Sequence, residues 1–405
     1  MPFMTSPAST PSRLHQNVWV MTFTSFLTDI SSEMLVNLIP LFLTGVLGAR
    51  TWTVGLIEGV AETTASLLKI FSGAISDKLK QRKWLAVLGY ALSALSKPFY
   101  YLANTWGWVL GIRFSDRLGK GIRTAPRDVL IAGSVNAQNR GLAFGIQRAG
   151  DTAGAFLGIL IAAVIIWLTQ ANTAKLTSST FKIIVLASII PAVLAVILLA
   201  VGAKEIHGTK TSTLPVFTFK GLEPRFKAYL IAVILFTFGN SADAFVILRA
   251  QERGLSLLQI MAMLLTFNAI YALLSGPAGA LSDRIGRRKL ILFGWLAYGL
   301  IYLGFAFSKT GTAIWLLYGF YGLYYAATEG SGKALIADLV TDEKRGTAYG
   351  LYSAAVGITA LPASLIAGVL WQGLGKWGGL GPAAPFAFGA SMAILAGVWF
   401  FFRVR

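Results

Sequence analysis

Twelve apolar segments, each near or above the roughly 20 residues that cross a bilayer core, recur along this 405-residue chain. Their approximate bounds are 17–43, 53–75, 84–103, 106–133, 140–168, 182–202, 228–250, 256–281, 289–308, 311–338, 345–371 and 384–402. Hydrocarbon offers no water to the backbone, so each segment must satisfy its own N–H and C=O groups as a helix. Charged residues make up 13% of the chain, against about 25% in soluble proteins. The expected fold class is therefore an all-α polytopic membrane protein with twelve transmembrane helices.

Most connections are short. The exception is 203–227, which is polar, basic and proline-containing, and reads as a linker. It divides the chain into a tail (1–16), a first six-helix bundle (17–202), the linker (203–227) and a second bundle (228–405). With both termini in the cytoplasm, nineteen Lys and Arg fall in cytoplasmic segments, six on the opposite side and ten within spans. Such asymmetry sets orientation. It also accounts for the net charge of +18 without a nucleic-acid partner. The expected location is a bacterial inner membrane, crossed many times.

The halves repeat. Gly73-Ala-Ile-Ser-Asp77-Lys78-Leu-Lys80-Gln-Arg82-Lys83 matches Gly279-Ala-Leu-Ser-Asp283-Arg284-Ile-Gly286-Arg-Arg288-Lys289. Ile131-Ala132 and Arg140-Gly141 find counterparts in Ile336-Ala337 and Arg345-Gly346. Two parallel six-span halves related by an axis along the membrane normal are a transporter arrangement.

On these residues the chain resembles the major facilitator superfamily over essentially its whole length. That family's loop signature, Gly-x-x-x-Asp-Arg/Lys-x-Gly-x-Arg-Arg/Lys, is met in full by Gly279–Lys289; the Gly73–Lys83 copy carries Lys80 in place of glycine. The resemblance implies two pseudo-symmetric six-helix bundles, alternating access, and a substrate held near the membrane centre. It also implies a gating role for Asp77, Arg82, Asp283 and Arg288, and a monomer as the working unit. The family's fourth-span pattern, linked to proton coupling, is met loosely by Arg113 and Gly119. The fifth-span proline pattern of drug–proton antiporters is absent, although Gly150, Gly154 and Gly158 provide for close packing. The pairing of 23–34 with 116–128 resembles a bacterial subgroup of that superfamily.

Charge inside the spans is the second constraint. The stretch Arg113–Asp128 carries five cations and two carboxylates in a segment that should cross the membrane. Even lenient insertion scales put roughly 2.5–3.5 kcal/mol on each such charge at the bilayer centre. On a helical wheel Arg113, Arg117, Lys120 and Arg127 share one stripe, while Phe114, Leu118, Ile122, Ala125 and Val129 oppose it. Carboxylates of other spans can balance most of it. Seven acids (Asp29, Glu33, Glu58, Glu62, Asp116, Asp128, Asp151) stand against eight cations (Lys69, Lys97, Arg113, Arg117, Lys120, Arg123, Arg127, Arg148) in the first half. Buried unpaired charge is expensive, so a self-neutralising network is the simplest account. Pro126 and the glycines flanking Lys120 suggest that the helix bends there.

A smaller set of residues carries a functional expectation. Asp29, Glu33, Glu62 and Asp151 are candidate proton carriers, because neighbouring acids in low dielectric raise one another's pKa. Lys97, Arg113, Arg117, Arg148, Asp243, Glu329 and Tyr325 are candidates for the central cavity, the Arg fork suiting carboxylate or phosphate. Arg123, Arg127 and Asp128 read as a cytoplasmic latch. The tyrosine-rich run Tyr318, Phe320, Tyr321, Tyr324, Tyr325 reads as interhelical packing or as an aromatic wall.

The expected function is transport of a small polar solute, anionic or amphiphilic, by alternating access coupled to protons. A multidrug–proton antiporter is the alternative, and a cation or metal transporter a weaker one. The chain has no cysteine, and His15 and His207 lie in loops, so neither a soft-metal site nor a metal cofactor is expected. It has no P-loop, nucleophile elbow or His–Glu metal motif, so no enzyme is indicated.

Overall fold

The computed structural model describes residues 15–79, 81–136, 139–170, 175–206, 222–341 and 344–404. The side chains of Asp77 and Asp283, Lys80 and the linker stretch 207–221 lie outside the described residues.

The chain is a succession of helices, and eight of those described are long and apolar enough to cross a membrane. The helices of the first half are α1 (Gln16–Val36), α2 (Ile39–Leu41) with a π turn at Phe42–Val46, α3 (Thr51–Leu79), α4 (Arg82–Ser96) with a 3-10 turn at Lys97–Tyr101, α5 (Trp106–Ala132), α6 (Arg140–Gln170) and α7 (Ser178–Gly202). The second half holds α8 (Pro224–Gly239), α9 (Ala244–Glu252), α10 (Leu257–Ile285), α11 (Arg287–Phe307), α12 (Gly311–Leu339), α13 (Arg345–Gln372) and α14 (Ala384–Arg403). α1 through the π turn makes one span, and α8 with α9 makes another. α3, α4, α5 and α12 fall outside that apolar group, α3 and α5 because of the charges already noted.

Local sequence explains the ends and breaks. Thr105, Thr177 and Thr310 cap α5, α7 and α12 by accepting from Trp108, Thr180 and Ala313 amides, each satisfying a donor the helix leaves open. Gly286, the signature glycine between α10 and α11, adopts φ 91°, a conformation that costs glycine nothing. Pro98 lacks an N–H, and the backbone from Lys97 tightens into a 3-10 turn. The first span of each half, expected to be continuous, is broken: at Asn37 and Leu38 before Pro40, and at Asn240–Asp243. Pro40 removes a donor at the start of α2; Asn240 turns away from helical geometry at ψ 76°.

The two glycines flanking Lys120 in α5 are sites of close packing. α5 runs unbroken from Trp106 to Ala132 with Pro126 inside it. A Cβ on Gly119 would sit 2.5 Å from the Gly89 carbonyl oxygen of α4, and one on Gly121 2.5 Å from Leu68 Cβ of α3. The two glycines let α5 nest between α3 and α4.

α1 packs on α6 through Gly150, Gly154 and Gly158, which face Thr22, Phe26 and Ile30. The closest seam between the halves joins α3 to α13. A Cβ on Gly55 would fall 2.1 Å from the Ser364 carbonyl oxygen, and one on Gly368 2.4 Å from that of Thr51. Thr51 Oγ1 donates to the Gly368 carbonyl (2.9 Å) and Thr63 Oγ1 to that of Gly357 (2.6 Å). Arg50 reaches the Gly375 carbonyl at 3.2 Å. This seam seals the molecule on the face away from the chain ends.

The aromatic run on α12 divides. Tyr318, Tyr321 and Tyr324 are buried among Phe236, Tyr298, Tyr302 and Phe305, whereas Phe320 is exposed on the outer surface. Arg249 is fully buried and structural: it donates to the carbonyls of Phe305 (3.0 Å) and Ala306 (2.7 Å) at the end of α11, and pairs with Glu252 at 2.7 Å.

Candidate functional site

Three neighbouring chambers share lining residues, two of them between the halves. A vestibule of about 700 Å³ opens toward the face carrying the chain ends and is walled by α1, α3, α5, α6, α10, α12 and α13. A far chamber of about 500 Å³ lies beyond it, against the α3–α13 seam and the breaks at Asn37 and Asn240. A side chamber of about 70 Å³ is set within the first half, between α1, the Lys97–Tyr101 turn and α5. Glu33 lines all three.

The chambers differ in charge. The vestibule wall carries Lys69, Lys120, Arg123, Arg127, Arg148 and Lys333 with Asp29, Glu33, Glu62, Asp151 and Glu329. Among its described lining residues the far chamber has four carboxylates, Glu33, Glu58, Glu62 and Asp243, and no Lys or Arg. The side chamber holds Lys97, Arg113, Arg117, Lys120 and Arg123 with Asp29, Glu33 and Asp116.

Hydrogen bonds fix several of these groups. Arg113, 3% exposed, is bonded to Glu58 of α3 and lies 3.9 Å from Asp116. Lys97 donates to Ser31 and, at 3.2 Å, to Ser32 of α1. Arg123 donates to Ser93 Oγ at 2.6 Å and covers the Tyr90 ring at 4.5 Å, while Arg127 holds Asp128 at 2.8 Å. These contacts of Arg123, Arg127 and Asp128 stay within the first half. Asn37 donates to Glu33 Oε2 at 2.9 Å, Gln147 to Asp151 at 2.7 Å, and Tyr321 to Asp243 Oδ1 at 3.1 Å.

One polar cluster bridges the halves. Arg148 of α6 donates to Tyr271 of α10 and lies 3.5 Å from Glu329 of α12. Tyr271 donates to the same Glu329 oxygen at 2.5 Å, and Lys333 sits 3.6 Å from its other oxygen. Tyr271 was not among the residues singled out in the sequence. It follows Asn268, a polar residue within the same span that lines the vestibule and the far chamber, by three positions and so shares its helix face, which is the signal available for it. The amides of Asn37 and Asn240 owe their place in the far chamber to the helix breaks.

The sequence candidates thus fall into place unevenly. Arg148, Glu329 and Tyr325 line the vestibule; Asp243 and Tyr325 line the far chamber; Lys97, Arg113 and Arg117 line the side chamber. Asp29, Glu33, Glu62 and Asp151 all reach the vestibule. Of the loop residues, the Arg82 and Lys83 amides donate to Glu205 at 2.9 and 3.0 Å, and Arg288 donates to the Phe401 carbonyl at 2.7 Å. Asp77 and Asp283 cannot be placed beside them, their side chains lying outside the described residues.

The sequence matches the profile of the Major Facilitator Superfamily over residues 21–249 and 228–405. An uncharacterized MFS-type transporter of Methanocaldococcus jannaschii is 36% identical over 395 residues, covering 96% of this chain and 95% of the relative. Among solved structures, the nucleoside transporter NupG superposes with a TM-score of 0.78 at 13% identity, covering 96% of this chain and 99% of that one. The D-xylose-proton symporter does so at 0.74 and 16% identity, with coverage of 96% and 98%. At these identities the likeness is one of fold.

Proposed function

Because this chain belongs to the major facilitator superfamily, a family of multi-pass membrane transporters, we propose that it carries a small polar solute of anionic or amphiphilic character. Coupling is to protons. The rocking units are residues 17–202 and 228–405, joined by 203–227, and a monomer suffices because one chain encloses the whole cavity. With both termini in the cytoplasm of a bacterial cell, as the loop charges favour, the vestibule faces inward and the α3–α13 seam closes the outside.

The observation that carries the reading is the position of Glu33 where the three chambers meet, with cations on two of them. A carboxylate there is reached by protons from the vestibule. Its charge acts on the same lysines and arginines that an anionic solute would engage. Protonating it releases positive field toward the solute; losing the proton restores competition. Binding of proton and solute then favour each other, as linkage demands.

A second reading has its own support. The far chamber presents carboxylates beside Tyr318 and Tyr325 without Lys or Arg among its described lining residues, a surface that suits an organic cation. That reading corresponds to a multidrug–proton antiporter.

Proteoliposomes with an imposed pH gradient separate the two. Gradient-driven uptake of organic anions supports the first reading. Movement of cationic dyes with no anion moved replaces it by the second.

A further inference from the structure

We infer that the side chamber seats one oxyanion group, the carboxylate, phosphate or sulfate end of the solute, held by Lys97, Arg117 and Lys120. The inference rests on the anionic-solute reading and gives it an address.

Among the described residues, Lys97, Arg117 and Lys120 make no direct ion pair, although Asp116 shares their chamber. Lys97, 3% exposed, is bonded only to the hydroxyls of Ser31 and Ser32. Arg117 and Lys120 make no side-chain hydrogen bond or ion pair, and Arg117 Nε is buried without an acceptor. Arg113 is different: its charge is met by Glu58 and Asp116. It therefore belongs to the wall, not to the ligand set.

The charge balance points the same way. The five cations of the chamber face Asp29, Glu33 and Asp116, and Glu58 on Arg113 adds a fourth acid. The chamber's own wall thus holds more cations than acids, with Lys120 exposed where the chamber adjoins the vestibule and Glu62, and that local excess attracts a monoanion. The Ser32 hydroxyl and the unfilled donors on Arg117 give that anion directed hydrogen bonds as well as charge.

Size limits what enters. About 70 Å³ admits a small oxyanion group and excludes the body of a solute. Asp29, Glu33, Lys120 and Arg123 line both this chamber and the vestibule, so a bound head group stays continuous with a body lying in the larger space. The solute is thereby oriented head toward α5 and tail toward the Tyr325 side.

The test uses the purified full-length protein, with inorganic phosphate and sulfate titrated against thermal unfolding at constant ionic strength. Arg117→Gln and Lys120→Gln should each raise the half-saturating concentration roughly ten- to hundredfold, the range for losing a hydrogen bond to a charged group. Lys309→Gln, on a distant loop, should leave it unchanged. Arg117→Lys, which keeps the charge and guards against misfolding, should show a smaller loss. Equal stabilisation of all variants overturns the seat, as does a chloride response matching that of the oxyanions. If wild-type vesicles accumulate an organic anion while Arg117→Gln and Lys120→Gln bind as wild type, the seat alone is wrong. If wild-type vesicles move no anion, the underlying reading falls with it.

Discussion

Arg148 on α6 and Glu329 on α12 meet across the two halves at 3.5 Å, and Tyr271 donates to the same Glu329 oxygen at 2.5 Å. The Arg148 and Glu329 side chains are 56% and 36% exposed to the vestibule. A pair so hydrated contributes about 0–1 kcal/mol to stability, so its value lies in coupling the halves rather than in holding them folded. Arg148→Gln and Glu329→Gln should unfold within about 3 °C of wild type yet slow uptake. In a double-mutant cycle on initial rates, the double variant should be no slower than the worse single. Additive losses would show that the two act separately.

The Arg113–Glu58 pair should behave in the opposite manner. Its side chains are 3% and 13% exposed, so Glu58→Gln leaves a buried guanidinium with only Asp116, at 3.9 Å, and should cost about 3 kcal/mol. Thermal unfolding in detergent measures this. Replacing both residues by methionine should recover part of the loss, because the buried guanidinium is removed with its partner, while Asp116 keeps Arg117 and Lys97 in its chamber. A Glu58→Gln protein as stable as wild type would contradict the structural role given to Arg113.

The proposed proton coupling through Glu33 would have a signature in pH. Wild-type uptake should rise as the pH on the solute side falls, since the protonated carboxyl no longer competes for the cations. Glu33→Gln mimics the protonated state permanently, and its uptake should be flat across the same range. Persistence of the wild-type profile in that variant would move the proton site elsewhere, with Asp29 and Glu62 the next to replace.

The α3–α13 seam can be wedged apart. Gly55→Val places side-chain atoms where the Ser364 carbonyl stands, an overpacking that costs about 1–3 kcal/mol. Since the chain has no cysteine, a lone Ser241→Cys in the far chamber reports access directly. An impermeant thiol reagent applied from the sealed face should label it faster in the Gly55→Val background. Identical labelling rates would mean that the seam is not the barrier.

Much of this architecture is legible in the sequence. Each of the twelve expected spans has a counterpart helix or helix pair, because long apolar runs leave the backbone no alternative. The charged stripe of α5 does turn inward, as its opposing apolar face required. What periodicity could not reveal is which faces meet. Gly119 and Gly121 read as a weakness in α5 because their partners, Gly89 and Leu68, are distant in sequence. The carboxylate-lined far chamber has the same origin: Glu58 and Glu62 lie near Asp243 only once α3 is set against the second half. The breaks at Asn37 and Asn240 sit inside runs apolar enough to pass as continuous helices. Lys97 read as one member of a charge network, whereas its partners are two hydroxyls that a count of charges ignores.

The glycine seam between α3 and α13 has a consequence for the setting in which the protein works. The atoms that meet there are backbone carbonyls, threonine hydroxyls and bare Cα positions, so the electrolyte has little to act on. Lateral pressure does have purchase, because parting two helices at that level widens the molecule within the lipid. Thicker or more tightly packed bilayers will hold that end shut for longer. Turnover should therefore vary with acyl-chain length and sterol-like ordering even when solute, proton gradient and salt are held constant.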